Sequence, residues 1–215
     1  LGEYSALMFA ESITFEDAIG MTHLRGKLMQ HSEEGKMMAI LGLDSKTIDE
    51  ACSQINESHK SAYVASANYN SMKQTVIAGN IEGIEIARDF LPDIGAKRCI
   101  ELNVSIASHT RLMTDAANEF NESLQKINFS APRYPIIQNY TGEIETDISS
   151  IKQNLFNQLT KPVLWTKTMD KISQSASCLI EVGPKNILCG LSKGYDLSSI
   201  LYIADQNFKD KVQNI

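Results

Sequence analysis

From Lys36 to Asn103 the apolar pattern alternates between the two-residue period of strands and the three- to four-residue period of helices, and this restricts the fold more than any other feature. The pattern predicts strand Lys36 to Leu43, helix Lys46 to Ile55, strands Tyr63 to Ala67 and Gln74 to Ala78, helix Ile81 to Leu91 and strand Lys97 to Asn103. Such a βαββαβ order is that of a ferredoxin-like unit. The turn Ser32-Glu33-Glu34-Gly35 and the irregular stretch Ser105 to Ser108 mark its ends, so residues 36–103 read as a subdomain inserted into a large domain of residues 1–35 and 104–215.

The flanking segments continue the alternation. Gly2 to Ala10 predicts a short helix, and Thr14 caps a longer one whose first turn carries Glu16 and Asp17, where the helix dipole favours acids. After the insert come a long helix Thr110 to Lys126, a strand Ile136 to Asn139, a turn at Thr141-Gly142 and helices Ile148 to Leu159 and Val163 to Ser173. Strand Ser177 to Val182, a short helix ending near Leu191 and strand Ile200 to Ile203 complete the pattern. The class expected is α/β, with a largely parallel sheet in the large domain.

At 215 residues the chain exceeds one average domain of about 150. Its formal net charge of -6 opposes grip on a phosphate backbone, so nucleic acid is excluded as a partner. No apolar run reaches the roughly 18 residues of a membrane span, and no secretory signal is visible, so a cytoplasmic location is expected. Cys52, Cys99, Cys178 and Cys189 lie far apart, and His23, His31, His59 and His109 form no ligand pattern. Buried free thiols are expected, and neither a metal nor a disulfide framework. The chain opens on Leu1 with no tail before its first helix, as though cut from a longer one.

Three constellations bear on chemistry. Gly190-Leu191-Ser192-Lys193-Gly194 has the spacing of a nucleophile elbow, but the residues before it look helical and no His follows, so it reads as a helix C-terminus capped by Gly194. His109 stands at a strand-to-helix junction, where a neutral imidazole serves either as a general base or as a helix cap. Arg25 recurs with Ala18, Met21, Leu28 and Met29 on the apolar side of its helix, so it needs a partner. Its planar fork suits a ligand carboxylate, and an internal ion pair to Glu3 or Asp17 is the alternative.

The opening Leu1-Gly2-Glu3-Tyr4-Ser5-Ala6-Leu7, Leu24-Arg25-Gly26, Ala67-Asn68-Tyr69-Asn70-Ser71, Gln74 to Gly79, Gly95-Ala96-Lys97-Arg98, Val104 to His109, Pro162 to Thr166 and Glu181-Val182-Gly183-Pro184 together resemble the bacterial malonyl-CoA:acyl carrier protein transacylases, from end to end of the chain. The resemblance implies an α/β-hydrolase-like large domain with an inserted ferredoxin-like subdomain, in agreement with the periodicity. It also implies transfer of malonyl from malonyl-CoA to the phosphopantetheine thiol of acyl carrier protein through a serine-bound acyl-enzyme, in type II fatty acid synthesis. No cofactor is implied beyond these substrates, and the partners implied are malonyl-CoA and acyl carrier protein, with no membrane and a monomeric state.

Residue by residue, the resemblance makes His109 the catalytic base, Gln158 the residue whose backbone carbonyl orients it, and Arg25 the holder of the malonyl carboxylate. The Gln158 side chain is then expected to be dispensable. Met29 falls in the acyl pocket or in the core, and Asn68, Asn70, Gln74, Lys97 and Arg98 fall near CoA and pantetheine, or else are solvated turn and strand-end residues. Leu1 aligns with the position directly after the nucleophile, where its backbone N–H would serve the oxyanion.

The serine therefore lies outside these residues, and the stretch by itself is expected to be inactive. Met72-Lys73 and Lys185 replace a Pro-Gly turn and a Gly of the family, both in loops. Two alternatives stand beside the main reading: a truncated remnant that only binds CoA or acyl carrier protein, and a polyketide synthase acyltransferase domain. The chain's end in Asp205 to Ile215, soon after the last strand, favours the free-standing enzyme over the latter.

Overall fold

The computed structural model describes residues 1–213; the last two residues of the 104–215 segment lie outside the described residues. By its contacts the chain divides into two units, Leu1–Trp165 and Thr166–Ile215, a boundary that the sequence pattern does not mark.

The first unit begins with helices α1 (Gly2–Phe9) and α2 (Phe15–Gln30). The Thr14 hydroxyl accepts the Asp17 N–H at 3.0 Å, which starts α2 where the sequence predicts. There follow β1 (Lys36–Leu41), α3 (Ser45–Ser58), β2 (Val64–Ser71), β3 (Gln74–Gly79), α4 (Ile81–Asp93) and β4 (Arg98–Glu101). Their strands form one sheet in the order β2-β3-β1-β4 with antiparallel neighbours, the ferredoxin-like arrangement. The run Met37-Met38-Ala39-Ile40 is apolar at every position because β1 is covered on both faces. Met38 and Ile40 pack with Ile48, Ile55, Ile84 and Leu91 of the two helices, while Met37 and Ala39 pack with Ala67, Val76 and Ala107.

Beyond the sheet a 3-10 turn (Arg111–Met113) leads into α5 (Thr114–Leu124), followed by a hairpin of β5 (Ile136–Ile137) and β6 (Ile144–Glu145), then α6 (Ile148–Thr160). Tyr4 and Leu7 of α1, Met21 and Leu28 of α2, Phe120 of α5 and Leu155 of α6 share one core, in which Tyr4 meets Phe120 edge to face at 6.3 Å.

The second unit contains most of α7 (Trp165–Ser175), and then β7 (Cys178–Glu181), α8 (Ile187–Leu191), β8 (Ser199–Tyr202) and α9 (Phe208–Val212). Strands β7 and β8 pair in parallel.

Several elements differ from expectation. Outside the β1–β4 sheet the pairing among the named strands is mixed, antiparallel in the β5–β6 hairpin and parallel between β7 and β8. The helix from Thr110 begins as a 3-10 turn, because the Thr110 hydroxyl accepts the Leu112 N–H and tightens the first turn. Val163 is not helical: its N–H donates to Ala67 and its carbonyl accepts Tyr69 N–H, so it extends beside β2 and delays α7 to Trp165. Pairing with β3, which runs on to Ser71 opposite Gln74, prolongs β2 through Asn68 and Asn70. Strand β6 was not foreseen; the turn before it closes when Gly142, at φ 64°, donates its N–H to the Gln138 carbonyl at 2.8 Å. All four cysteines are free thiols, but only Cys52 and Cys189 are buried, since Cys99 and Cys178 sit on strands that are partly open to solvent.

Candidate active site

The segment Ser105 to Thr110 crosses the start of β1, where Gly35 donates its N–H to the Ser105 carbonyl. A Cβ at Gly35 would stand 2.8 Å from the Cβ of Ala107, so the close approach needs glycine. Two residues later His109 takes the left-handed conformation, φ 64°. That backbone is uncommon for a side chain with a Cβ and needs support. It comes from the last turn of α6: His109 N–H donates to the Leu159 carbonyl at 3.1 Å, and its ring Nδ1 lies 2.7 Å from the Gln158 carbonyl. These are carbonyls that a helix end leaves without an internal partner.

A carbonyl can only accept, so Nδ1 carries the proton and Nε2 is left with its lone pair. The two carbonyls also belong to the negative end of the helix dipole, which favours an imidazolium forming there. Desolvation works against that charge, and with Arg25 nearby it lowers the His109 pKa to about 4, although the hydrogen bond to Gln158 pulls it upward. The imidazole is therefore neutral at pH 7 and able to accept a proton.

Arg25 lies on the buried stripe of α2 with Ala18, Met21, Leu28 and Met29. It forms no ion pair among the described residues, and its buried Nε has no hydrogen-bond partner. Neither expected internal partner holds it: Asp17 is engaged at the α2 cap by Thr14, and the Glu3 carboxylate is taken up by amide donors. Burial lowers the Arg25 pKa, with Tyr4 and Glu3 opposing the shift. A buried guanidinium with an unfilled donor is a ready site for an anion.

Leu1 caps the start of α1 through its carbonyl, which accepts Tyr4 N–H at 3.2 Å, and its side chain is exposed. The Gln158 carbonyl meets the His109 ring, and Arg25 acts on that ring electrostatically.

The Gln158 side chain is engaged as well as its carbonyl. It is buried, and its Nε2 donates to Glu3 Oε2 at 2.5 Å. Glu3, buried as well, also accepts from Gln138 Nε2 at 2.9 Å and from the Asn139 N–H at 3.2 Å. Burial raises its pKa, and these donors oppose the rise. Sequence reasoning noticed Glu3 only as a possible ion-pair partner. Its spacing of one helical turn from Leu7 was the available signal, since it puts the acid on the buried face of α1. Gln138 and Asn139, polar residues ending an apolar strand, carried no such signal.

The other residues singled out lie elsewhere. Met29 is in the core with Met21 and Leu28. Gln74, Lys97 and Arg98 gather at one end of the antiparallel sheet around Leu41, which pairs with Gln74 and with Arg98 and accepts the Lys97 N–H at 2.8 Å. The Lys97 stem crosses Gly42 so closely that a Cβ there would meet it at 2.6 Å. Asn68 and Asn70 are half-buried on the opposite edge strand, β2. A surface cavity of about 670 Å³ beside α2 and α5, lined by Lys27, His31, Arg111 and Glu119 among others, contains neither Arg25 nor His109.

In the second unit Ser192 is fully buried and donates to the Leu188 carbonyl of its own helix at 2.8 Å, with Gly194 left-handed two residues on, so it ends a helix as the sequence predicts. The helical cap itself is Ser192 rather than Gly194. Among the described residues no cluster of His, Cys, Asp or Glu is placed to hold a metal ion, and no helix is long and apolar enough to cross a membrane.

A base oriented by a helix-end carbonyl, set beside a buried arginine, is a constellation suited to acyl transfer from an acidic acyl donor. The profile of the acyl transferase domain matches residues 1–197, and the chain belongs to that family.

Within it, the chain is similar to the malonyl CoA-acyl carrier protein transacylase of Salmonella typhimurium strain LT2, at 44% identity over 197 residues that cover 90% of this chain and 63% of that protein. The Bacillus subtilis strain 168 protein of the same name is 36% identical, covering 90% and 62%. Among solved structures it is similar to FabD from Acinetobacter baumannii, with a TM-score of 0.94 and 36% identity over 99% of this chain and 69% of that one. A malonyl-transacylase in complex with a type II polyketide acyl carrier protein matches with a TM-score of 0.91 and 37% identity, over 99% and 70%. The chain spans a little under two thirds of the length of the curated relatives it matches. The α/β fold class expected from the sequence, an α/β-hydrolase-like domain with a ferredoxin-like subdomain, is that of the matched structures.

Proposed function

We propose that this chain carries the base and the acyl-selecting arginine of a malonyl-CoA:acyl carrier protein transacylase. The observation that supports it most is the pairing of His109, held by the Gln158 carbonyl, with Arg25, whose Nε is buried and unpartnered. In this reading the nucleophile is the serine that in the family precedes the position matched by Leu1. His109 Nε2 takes the hydroxyl proton as the serine oxygen attacks the malonyl thioester. The oxyanion is met by the Leu1 N–H at the positive end of α1. The thioester C–S bond then breaks, and the imidazolium returns its proton to the CoA sulfur. The pantetheine thiol of acyl carrier protein reverses these steps, leaving the serine free and the malonyl group on the carrier.

Arg25 selects the acyl group, because only a dicarboxylic acyl chain offers its fork a carboxylate. Asn68, Asn70, Gln74, Lys97 and Arg98 meet CoA and pantetheine, whereas Met29 serves the core. Residues 36–103 are the inserted subdomain, and residues 1–35 with 104–215 the large domain. Transfer between a thioester and a thiol is redox-neutral and calls for no cofactor beyond the substrates. The protein acts in the cytoplasm, as a monomer, in type II fatty acid synthesis.

Similarity to the transacylase bound to a polyketide carrier protein favours a second reading, in which the acceptor is a polyketide carrier. Both are tested with the protein expressed from its complete reading frame, by measuring malonyl transfer from malonyl-CoA to each class of holo-carrier. Faster transfer to the fatty-acid carrier supports the first reading, faster transfer to the polyketide carrier the second, and transfer to neither refutes both.

A further inference from the structure

Glu3 is a buried carboxylate that the acyl-transfer steps do not use. Among the described residues its hydrogen-bond donors are all amides from elsewhere in the chain: Gln138 Nε2 on Oε1, and Gln158 Nε2 and the Asn139 N–H on Oε2. The network is closed on its far side. Gln138, fully buried, also donates to the Ile151 carbonyl at 3.3 Å and accepts from Asn154 Nδ2 at 2.7 Å. Glu3 therefore ties α1 to both the beginning and the end of α6, and to the chain leaving β5.

Two features give this network a bearing on chemistry. Glu3 is two residues from Leu1, so whatever fixes Glu3 fixes the N-terminus of α1. Gln158 joins the network by its side chain and meets His109 by its backbone carbonyl, which belongs to the last turn of a helix, where ends fray unless held. A carboxylate so deeply buried would be replaced at little cost by an apolar residue if packing were its whole purpose. Three converging donors instead fix both its position and its orientation.

We propose that Glu3 is a positioning residue: by holding the Gln158 side chain it keeps the Gln158 carbonyl on His109 Nδ1, and so keeps Nε2 free as the base. The proposal rests on the reading of His109 as the base, and its test has a readout that does not depend on turnover. In the protein expressed from its complete reading frame, ¹⁵N chemical shifts of the His109 ring report which nitrogen is protonated. The unsubstituted protein is expected to show the Nδ1–H tautomer. Glu3→Gln turns one acceptor into a donor facing other donors, and is expected to give mixed tautomers. The expected loss in kcat is about ten- to hundredfold, by analogy with groups that orient metal-bound histidines, with KM for malonyl-CoA changed by less than about twofold.

Gln158→Met removes the tether but leaves Glu3 its other donors and the backbone carbonyl in place. It is expected to shift the tautomer in the same way, and it decides the matter if Glu3→Gln does not fold. Folded variants that keep the Nδ1–H tautomer and the full kcat would overturn the proposal. The ring is observed without substrate, so a protein that transfers no malonyl would defeat the functional reading while this test still gives its answer.

Discussion

The Nδ1 of His109 lies 2.7 Å from the backbone carbonyl oxygen of Gln158, at the end of α6, and the His109 N–H lies 3.1 Å from the carbonyl oxygen of the next residue, Leu159. One helix end thus grips both the ring and the backbone of a single residue. A carboxylate in the Gln158 position would orient the imidazole equally well but would raise its pKa further; a carbonyl orients it with only partial charge. Replacing His109 by Asn keeps a residue that tolerates the left-handed backbone and removes the base. In the protein expressed from its complete reading frame, acyl-enzyme formation, read by intact mass after brief exposure to malonyl-CoA, is expected to slow by about a hundred- to ten-thousandfold, with the thermal midpoint little changed. An adduct formed at the original rate would exclude His109 as the base.

The same residue makes stability depend on pH. The His109 pKa is about 4 in the fold against 6.5 for a free side chain, so between these values the unfolded chain binds the extra proton. Its contribution is complete above pH 6.5 and is lost as the pH falls toward 4. Glu3 acts in the opposite sense, since its pKa is raised and its contribution is lost as pH rises above the ordinary carboxylate value of 4.5. Comparing His109→Asn with the unsubstituted protein isolates the histidine. Between about pH 7 and about pH 4.5 the urea midpoint of the unsubstituted protein should fall by more than that of the variant. Parallel falls would show that His109 keeps an ordinary pKa.

Phe120 is fully buried against Tyr4, where α1, α2, α5 and α6 meet. Phe120→Ala leaves a cavity at the centre of the helices that hold Arg25 and Gln158, and a loss of about 3–5 kcal/mol in unfolding free energy is expected from denaturant titration. A loss below about 1 kcal/mol would mean that these helices close the gap by repacking.

Ser192 tests the reading of Gly190 to Gly194 as a helix end and not a nucleophile elbow. Its hydroxyl is spent on Leu188 and on the sulfur of Met169, and it is fully buried. Ser192→Ala should leave malonyl transfer unchanged within about twofold, with a loss of at most about 1.5 kcal/mol of stability from the missing hydrogen bond. Abolished transfer would return the Gly190 to Gly194 segment to consideration as a nucleophile elbow.

What the sequence made legible follows from the range of the interactions involved. The ferredoxin-like order could be read because its periods are local, and the start of α2 because Thr14 accepts an N–H three residues on; Asp44, Asn80 and Asp147 start their helices in the same way. Arg25 was legible as buried for the same reason, its helix carrying an apolar stripe. The pairing of Val163 with Ala67 and Tyr69 was not, because it joins residues about a hundred positions apart and overrides a helical pattern. Nor was the Glu3 network, whose donors come from residues 138, 139 and 158. The roles proposed for His109 and Gln158 came from family resemblance, since the bond between them spans 49 positions and uses a backbone atom that any residue would supply.

The central claim, that Arg25 receives the free carboxylate of a malonyl group, is tested most directly by acyl selectivity. The protein expressed from its complete reading frame is given malonyl-CoA or acetyl-CoA with holo acyl carrier protein, and kcat/KM is compared with that of Arg25→Ala. A charge-assisted bidentate pair lost from the malonyl complex predicts a fall of at least about tenfold to a hundredfold for malonyl transfer, with acetyl transfer unchanged or increased. Equal losses for both acyl groups would contradict it and leave Arg25 a part of the framework.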